Sequence, residues 1–238
     1  MTGTILNVIT VLIGATLGVL LGARFPDKMR QTVMAGLGIM TLIVGVGMAL
    51  PGNALIVLFS LLIGGIVGEM LDVDGKLNGL GQWLETRFSR GEEAGTFTKG
   101  FVTASLVFCV GPMTILGSIQ DGLIGDYRLL AIKSLLDLFA ALAFASTLGI
   151  GVAFAGVTVL IVQGGIALAA MLLGSSLGAI TRETAWVVQM TATGGAVIIG
   201  IALLLLDLKK IRVANFVPAI IIAPLLQVAL EFFKIQLP

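Results

Sequence analysis

Lys133 and Asp137 stand four residues apart inside the apolar run Tyr127–Leu148. On a helix that spacing puts both side chains on one face, close enough to pair. A charge deep in a bilayer is costly unless paired or hydrated, so ionisable residues there are functional candidates by default. Asp137 could serve as a carboxylate that an arriving proton or cation neutralises. Lys133 could compete for that carboxylate or hold an anionic substrate. A structural reading is open beside this one. Lys133 lies only about 9 Å from Tyr127 by helical rise, so the pair could snorkel outward and set the helix's depth.

A second group of polar residues lies in "CVGPMTILGSIQDGLIGD", residues 109–126. Pro112 removes one backbone hydrogen bond and clashes with the preceding turn, so a helix should kink or break there. Backbone groups freed inside a membrane are tolerated only where protein or water satisfies them. Thr114, Ser118, Gln120 and Asp121 would supply oxygens beside the break. Gly117 and Gly122 bracket the last two and permit close backbone approach. Asp126 reads as part of a polar outer turn. Among the uncharged polar residues of other spans, Asn7, Gln163, Gln189, Thr191 and Thr193 are more often packing contacts than ligands. Gln163 and Gln189 rise slightly above the rest because a Gly-Gly pair follows each. The candidate ion- or substrate-binding set is therefore Asp137, Lys133, Gln120, Asp121, Ser118 and Gln163.

Other chemistry is poorly supplied. The chain has no histidine and one cysteine, Cys109. This removes imidazole-based haem or zinc sites, a Ser-His-Asp triad, an intrachain disulfide and a cysteine metal cluster. A hydrolase would have to use Ser134 beside Lys133 and Asp137, in the wrong setting. No catalytic residue, metal site or cofactor is expected, and no enzyme. A net charge of +1 offers nucleic acid no attracting field.

The elements that must position these residues are membrane spans. Of 238 residues, 58% are hydrophobic and 11% charged, against about 25% charged in a soluble domain. Mean hydropathy is +1.12. A soluble fold of this size cannot bury that much apolar surface. A span needs about 20 apolar residues. Met1–Ala23 is the first, and Pro51-Gly52-Asn53 divides residues 31–68 into the second and third. Gly100–Gln120 is the fourth, Tyr127–Leu148 the fifth and Val152–Leu173 the sixth. Thr184–Leu206 and Ala214–Phe233 are the seventh and eighth. Between the third and fourth, Leu77, Leu80, Trp83, Leu84 and Phe88 recur at helical spacing beside charges and read as an interfacial helix. Basic residues collect in cytoplasmic loops. Alternating the loops puts Arg24, Lys28, Arg30, Lys76, Arg87, Arg90, Lys99, Lys209, Lys210 and Arg212 on one side. Only Arg128, Arg182, Lys234 and Lys133 fall on the other. Both termini are therefore expected outside the cytoplasm. No basic segment precedes the first apolar run, which argues against a cleaved signal peptide.

A repeat is also expected. At an offset of 156, Leu17, Gly18, Leu21, Gly22 and Ala23 meet Leu173, Gly174, Leu177, Gly178 and Ala179, and Gly38 meets Gly194. After a short insertion, Asn53 and Glu69 meet Asn215 and Glu231. Membrane helices share Gly and Leu by composition, so chance is the competing explanation. If the repeat is real, spans 1–3 and 6–8 run in opposite directions, because five spans separate the first from the sixth. Inverted repeats underlie many secondary transporters, with the site near the midplane and often at broken helices. The expected fold is all-α, a polytopic membrane bundle of about eight transmembrane helices with an inverted-topology repeat and a broken fourth helix. It is one transmembrane domain, with a first repeat over 1–71, a cytoplasmic amphipathic segment over 72–99, a central helix pair over 100–148 and a second repeat over 152–236. Gly14, Gly18 and Gly22 form overlapping GxxxG steps that mark close helix contact, within the bundle or across a homodimer, with the bundle favoured.

The phrases "GSIQDGLIGD" at 117–126, "KSLLD" at 133–137, "FASTLGIGV" at 144–152 and "QGG" at 163–165 resemble the domain-of-unknown-function 554 family, the YqgA/YdfK-like bacterial membrane proteins. The resemblance runs along essentially the whole chain. It implies a multi-pass protein of the bacterial inner membrane with a role in transport, and it supplies no substrate. Residues and resemblance together lead to a secondary transporter of a small solute or ion, coupled to protons or sodium. The alternatives are an ion channel and a non-transporting membrane scaffold or sensor partner.

Overall fold

The computed structural model describes residues 1–22, 26–88, 95–173, 181 and 183–233. Ala23, Gly174, Leu177, Gly178 and Ala179 of the glycine phrase lie outside them, as do Arg24, Arg90, Arg182 and Lys234 of the loop comparison. The described chain is all-α. Its helices are α1 Thr2–Gly22, α2 Asp27–Ala49, α3 Ala54–Leu71, α4 Val73–Phe88, α5 Thr96–Cys109, α6 Pro112–Ile124, α7 Arg128–Leu148, α8 Gly151–Leu173, α9 Ala185–Leu205 and α10 Val217–Phe232, the last preceded by a 3₁₀ turn, Val213–Phe216. Among the described residues seven single helices are long and apolar enough to cross a membrane, and α5 with α6, bent by 62° at the break, counts as an eighth when the pair is taken as one span. The protein is a polytopic membrane bundle.

The breaks sit where local chemistry requires them. Pro51-Gly52 ends α2, and Asn53 caps α3 by accepting from the N–H of Leu55 at 3.0 Å. Asp72, left-handed at φ 48°, closes α3. Gly149 turns the chain from α7 into α8 at φ 73°, a conformation that favours glycine. In the fourth span the break is at Val110-Gly111, and Pro112 is the first residue of α6. At that position the missing N–H costs nothing, because the first turn of a helix has no internal acceptor for it. Thr114 donates its hydroxyl to the Phe108 carbonyl at 3.0 Å, so one acceptor freed at the end of α5 is satisfied. Its hydroxyl hydrogen is thus spent on the break itself.

The chain forms two compact units, Met1–Leu37 with Asn78–Ile180, and Gly38–Leu77 with Thr181–Pro238. In the first, α1 and α7 run parallel in close contact. Gly3 abuts Leu130, Gly14 the Leu138 carbonyl, Gly18 that of Leu142 and Gly22 that of Ser146. The GxxxG steps are thus used inside the chain. Helix α8 runs antiparallel to α1, with Gly164 against Met1 and Thr4 and Gly156 against Val8 and Leu12. It runs parallel to α5 and α6, with Ser105 bonded to Thr158 at 2.9 Å and Gly122 against Ala167. The second unit pairs α3 with α10 through Gly64 on Ala219, and α2 with α9 through Gly45 and Gly195. Gln189 accepts the Asn53 N–H at 2.9 Å, and Asn215 bridges the Asp74 N–H at 2.7 Å and the Glu69 carboxylate at 2.7 Å. Gln189 is therefore a packing contact.

Helix α7 shows the solvent this fold is built for. Its Leu135, Leu136 and Phe139 are 56–61% exposed, while Lys133 and Asp137 are buried. An apolar outside and a charged inside suit a bilayer and no aqueous solvent. On α4, Leu80, Trp83 and Phe88 are exposed in the same way, as an interfacial helix requires.

Candidate functional site

The first unit carries the polar core. Asp137 lies nine positions after Arg128 in a helix of 21 residues, about 14 Å along it and close to its middle. Lys133, one turn nearer the start of α7, donates to Asp137 Oδ2. Asn7 Nδ2 donates to the same oxygen at 2.9 Å. Asn7 reaches Asp137 because the glycines of α1 bring its backbone against α7. Lys133 is 6% exposed and Asp137 7%. The pair is enclosed by helices, and the snorkelling alternative does not describe it.

Three further side chains share with Asn7 a set of unmet polar atoms spread over three helices. Thr4, Asn7, Ser118 and Gln163 have no exposed surface. Thr4 Oγ1, Asn7 Oδ1, Ser118 Oγ and both amide atoms of Gln163 have no hydrogen-bond partner among the described residues. Their shared level follows from register. Gly122 meets Ala167 on parallel helices, so one turn back Ser118 faces the level of Gln163. Gly164 meets Thr4, which brings α1 to that level as well. Asn7 is one turn further along α1 and links the level to Asp137.

The remaining candidates are placed differently. Asp121 accepts from the Gly3 N–H at 3.0 Å and from the Met1 ammonium at 3.0 Å. It sits at the positive end of α1, where a carboxylate is stabilising. Gln120 is half-buried on α6 and is not hydrogen-bonded to the Lys133–Asp137 pair. Asp126 accepts from the Arg128 N–H at 3.1 Å in the outer turn. The structure thus joins Lys133 and Asp137 to Asn7, places Ser118 of α6 and Gln163 of α8 at one level with Thr4 of α1, and sets Asp121 at the start of α1. One sequence signal pointed to Asn7. It stands two turns before Gly14, on the face the glycines mark for close contact.

Chemically, the arrangement is a paired carboxylate with two donors on one oxygen, beside a small set of neutral oxygens. It can bind, exchange or pass a charge, and the neighbouring Ser134 donates its hydroxyl to the Leu130 carbonyl at 2.7 Å. The protein-family model for a protein of unknown function, DUF554, matches residues 2–228. The chain belongs to the DUF554 family. It is similar to the uncharacterised membrane protein YdfK of Bacillus subtilis (strain 168), with 29% identity covering 99% of this chain and 100% of YdfK. It is also similar to the uncharacterised protein YqgA of Escherichia coli (strain K12), with 29% identity covering 93% of this chain and 94% of YqgA. No solved structure matches it.

Proposed function

We propose that this DUF554 protein is a secondary transporter of a small solute or ion, coupled to protons or sodium, and that it is not an enzyme. The observation that carries the reading is the Lys133–Asp137 pair, enclosed at mid-helix and bonded to Asn7, whose own Oδ1 is unpartnered among the described residues. A buried charged pair is weak evidence for stability alone, since desolvation offsets much of its attraction. Unpartnered polar groups in an apolar bundle add cost without structural return. Both features suit a site that must be occupied and released. In this reading Asp137 is the coupling carboxylate, and Lys133 holds it while the site is unloaded.

An inverted repeat is part of the proposal. Three antiparallel neighbours support it, α1 with α8, α2 with α9 and α3 with α10. Each joins a span to its expected counterpart, and Gly45 and Gly195 approach each other reciprocally. The proposed setting is the bacterial inner membrane, with both termini outside the cytoplasm, as the loop charges suggest. The test is reconstitution into liposomes carrying a pH or sodium gradient, read by an internal dye. A carrier discharges the gradient saturably when substrate is supplied. A gradient that no solute discharges would remove the transport reading, and flux linear in concentration would favour a channel.

A further inference from the structure

We infer that Thr4, Asn7, Ser118 and Gln163 form a binding site for a monovalent alkali cation in the first unit. The inference deepens the transport reading and rests on it for a role in flux, while binding is measured without flux. Four oxygens carry it: Thr4 Oγ1, Asn7 Oδ1, Ser118 Oγ and Gln163 Oε1. Each belongs to a side chain with no exposed surface, and none has a partner among the described residues. They come from α1, α6 and α8, which the glycine contacts set at one level. The orientation of Asn7 is decided by its neighbour. Its Nδ2 must face the carboxylate of Asp137, an acceptor, so Oδ1 turns the other way. The methyl of Thr4 lies 3.8 Å from where a side chain on Gly164 would begin, so it fills the α1–α8 contact.

The chemistry selects the ion. All four donors are hard oxygens, and neither thiolate nor imidazole is among them, so soft metals are not favoured. None of the four is a carboxylate, and the adjacent Asp137 is already held by Lys133. A divalent ion relies on carboxylates in its own shell, whereas neutral oxygens can replace the hydration shell of a monovalent one. Asp137 is bonded to Asn7 and shares its Oδ2 with the Lys133 ammonium, so the adjacent pair adds little net charge and the neutral oxygens carry the ligation. The spare Nε2 of Gln163 can donate to a water or solute held with the ion.

The experiment is thermal unfolding of the full chain purified in detergent, at constant ionic strength, in sodium, potassium or choline chloride. Saturating alkali cation should raise the midpoint by about 5 °C over choline. Ser118→Ala and Thr4→Val should each weaken the cation's half-effect concentration by about tenfold or more, while Thr4→Ser retains it. A second readout separates ligation from packing. Without alkali cation, Ser118→Ala and Thr4→Val should unfold at or above the wild-type midpoint, because each removes a buried unpartnered hydroxyl. Ser60→Ala removes a buried unpartnered hydroxyl of the second unit and should leave the cation shift intact. Equal midpoints in sodium, potassium and choline would overturn the site, as would a full shift in both Ser118→Ala and Thr4→Val. Proton-driven flux in liposomes would then leave the transport reading standing. An alkali shift that the variants abolish, without flux under any gradient, would support the site and remove transport.

Discussion

Asn7 and Lys133 meet on one oxygen of Asp137, and at the scale of single residues that meeting defines the account. Half of it was legible in the sequence. A spacing of four on a helix pairs Lys133 with Asp137 whatever else the chain does. Asn7 lies 130 residues from Asp137, and no local pattern reports which helices will be neighbours. The glycines Gly117 and Gly122 bracket Gln120 and Asp121 and point to both together, yet adjacent residues on a helix point about 100° apart. Asp121 reaches the start of α1, and Gln120 does not share its contacts. Removing one donor from a buried carboxylate leaves desolvation uncompensated. Asn7→Leu should therefore lower stability by about 1–3 kcal/mol, read as a lower unfolding midpoint. Asp121→Ala should cost about 1 kcal/mol through the lost cap on α1. An unchanged midpoint in either variant would remove the bond from the account.

At the scale of elements, glycine decides which helices touch. Gly14, Gly18 and Gly22 were legible as a contact face, and the sequence left open whether the partner lay in the same chain. The structure answers with the backbone of α7. A side chain on Gly18 would collide with the Leu142 carbonyl and stand 2.8 Å from the Ala145 Cβ. Because the obstacle is backbone, Gly18→Leu should destabilise by about 3 kcal/mol or more, seen as loss of monodisperse protein in detergent. Gly47 has nothing within 4 Å of its missing Cβ. Gly47→Ala should stabilise α2 by about 0.5–1 kcal/mol and raise the unfolding midpoint. The opposite ranking of these two variants would mean that α1 does not pack on α7 as described. The break in the fourth span was legible from Pro112. The role of Thr114 in closing it was not, because it depends on where Phe108 leaves its carbonyl.

At the scale of the molecule, hydropathy and the Pro and Gly interruptions sufficed to locate seven single-helix spans and the bent pair α5–α6, because a bilayer allows few alternatives to a helix. They said little about grouping. The two units each combine spans distant in the chain, and only tertiary contacts reveal that. Orientation rests on loop charge and can be tested in a Cys109→Ala background. Asp126→Cys should react in intact spheroplasts with a membrane-impermeant thiol reagent, and Gly79→Cys should react only after lysis. The reverse pattern would invert the topology. The central claim is that Asp137 couples flux, and gradient-driven uptake into liposomes tests it most directly. The account predicts that Asp137→Asn abolishes uptake while the purified protein remains folded. Asp121→Asn should weaken uptake, and Asp126→Asn, in the outer turn, should leave it near the wild-type rate. Wild-type uptake by folded Asp137→Asn protein would contradict the account.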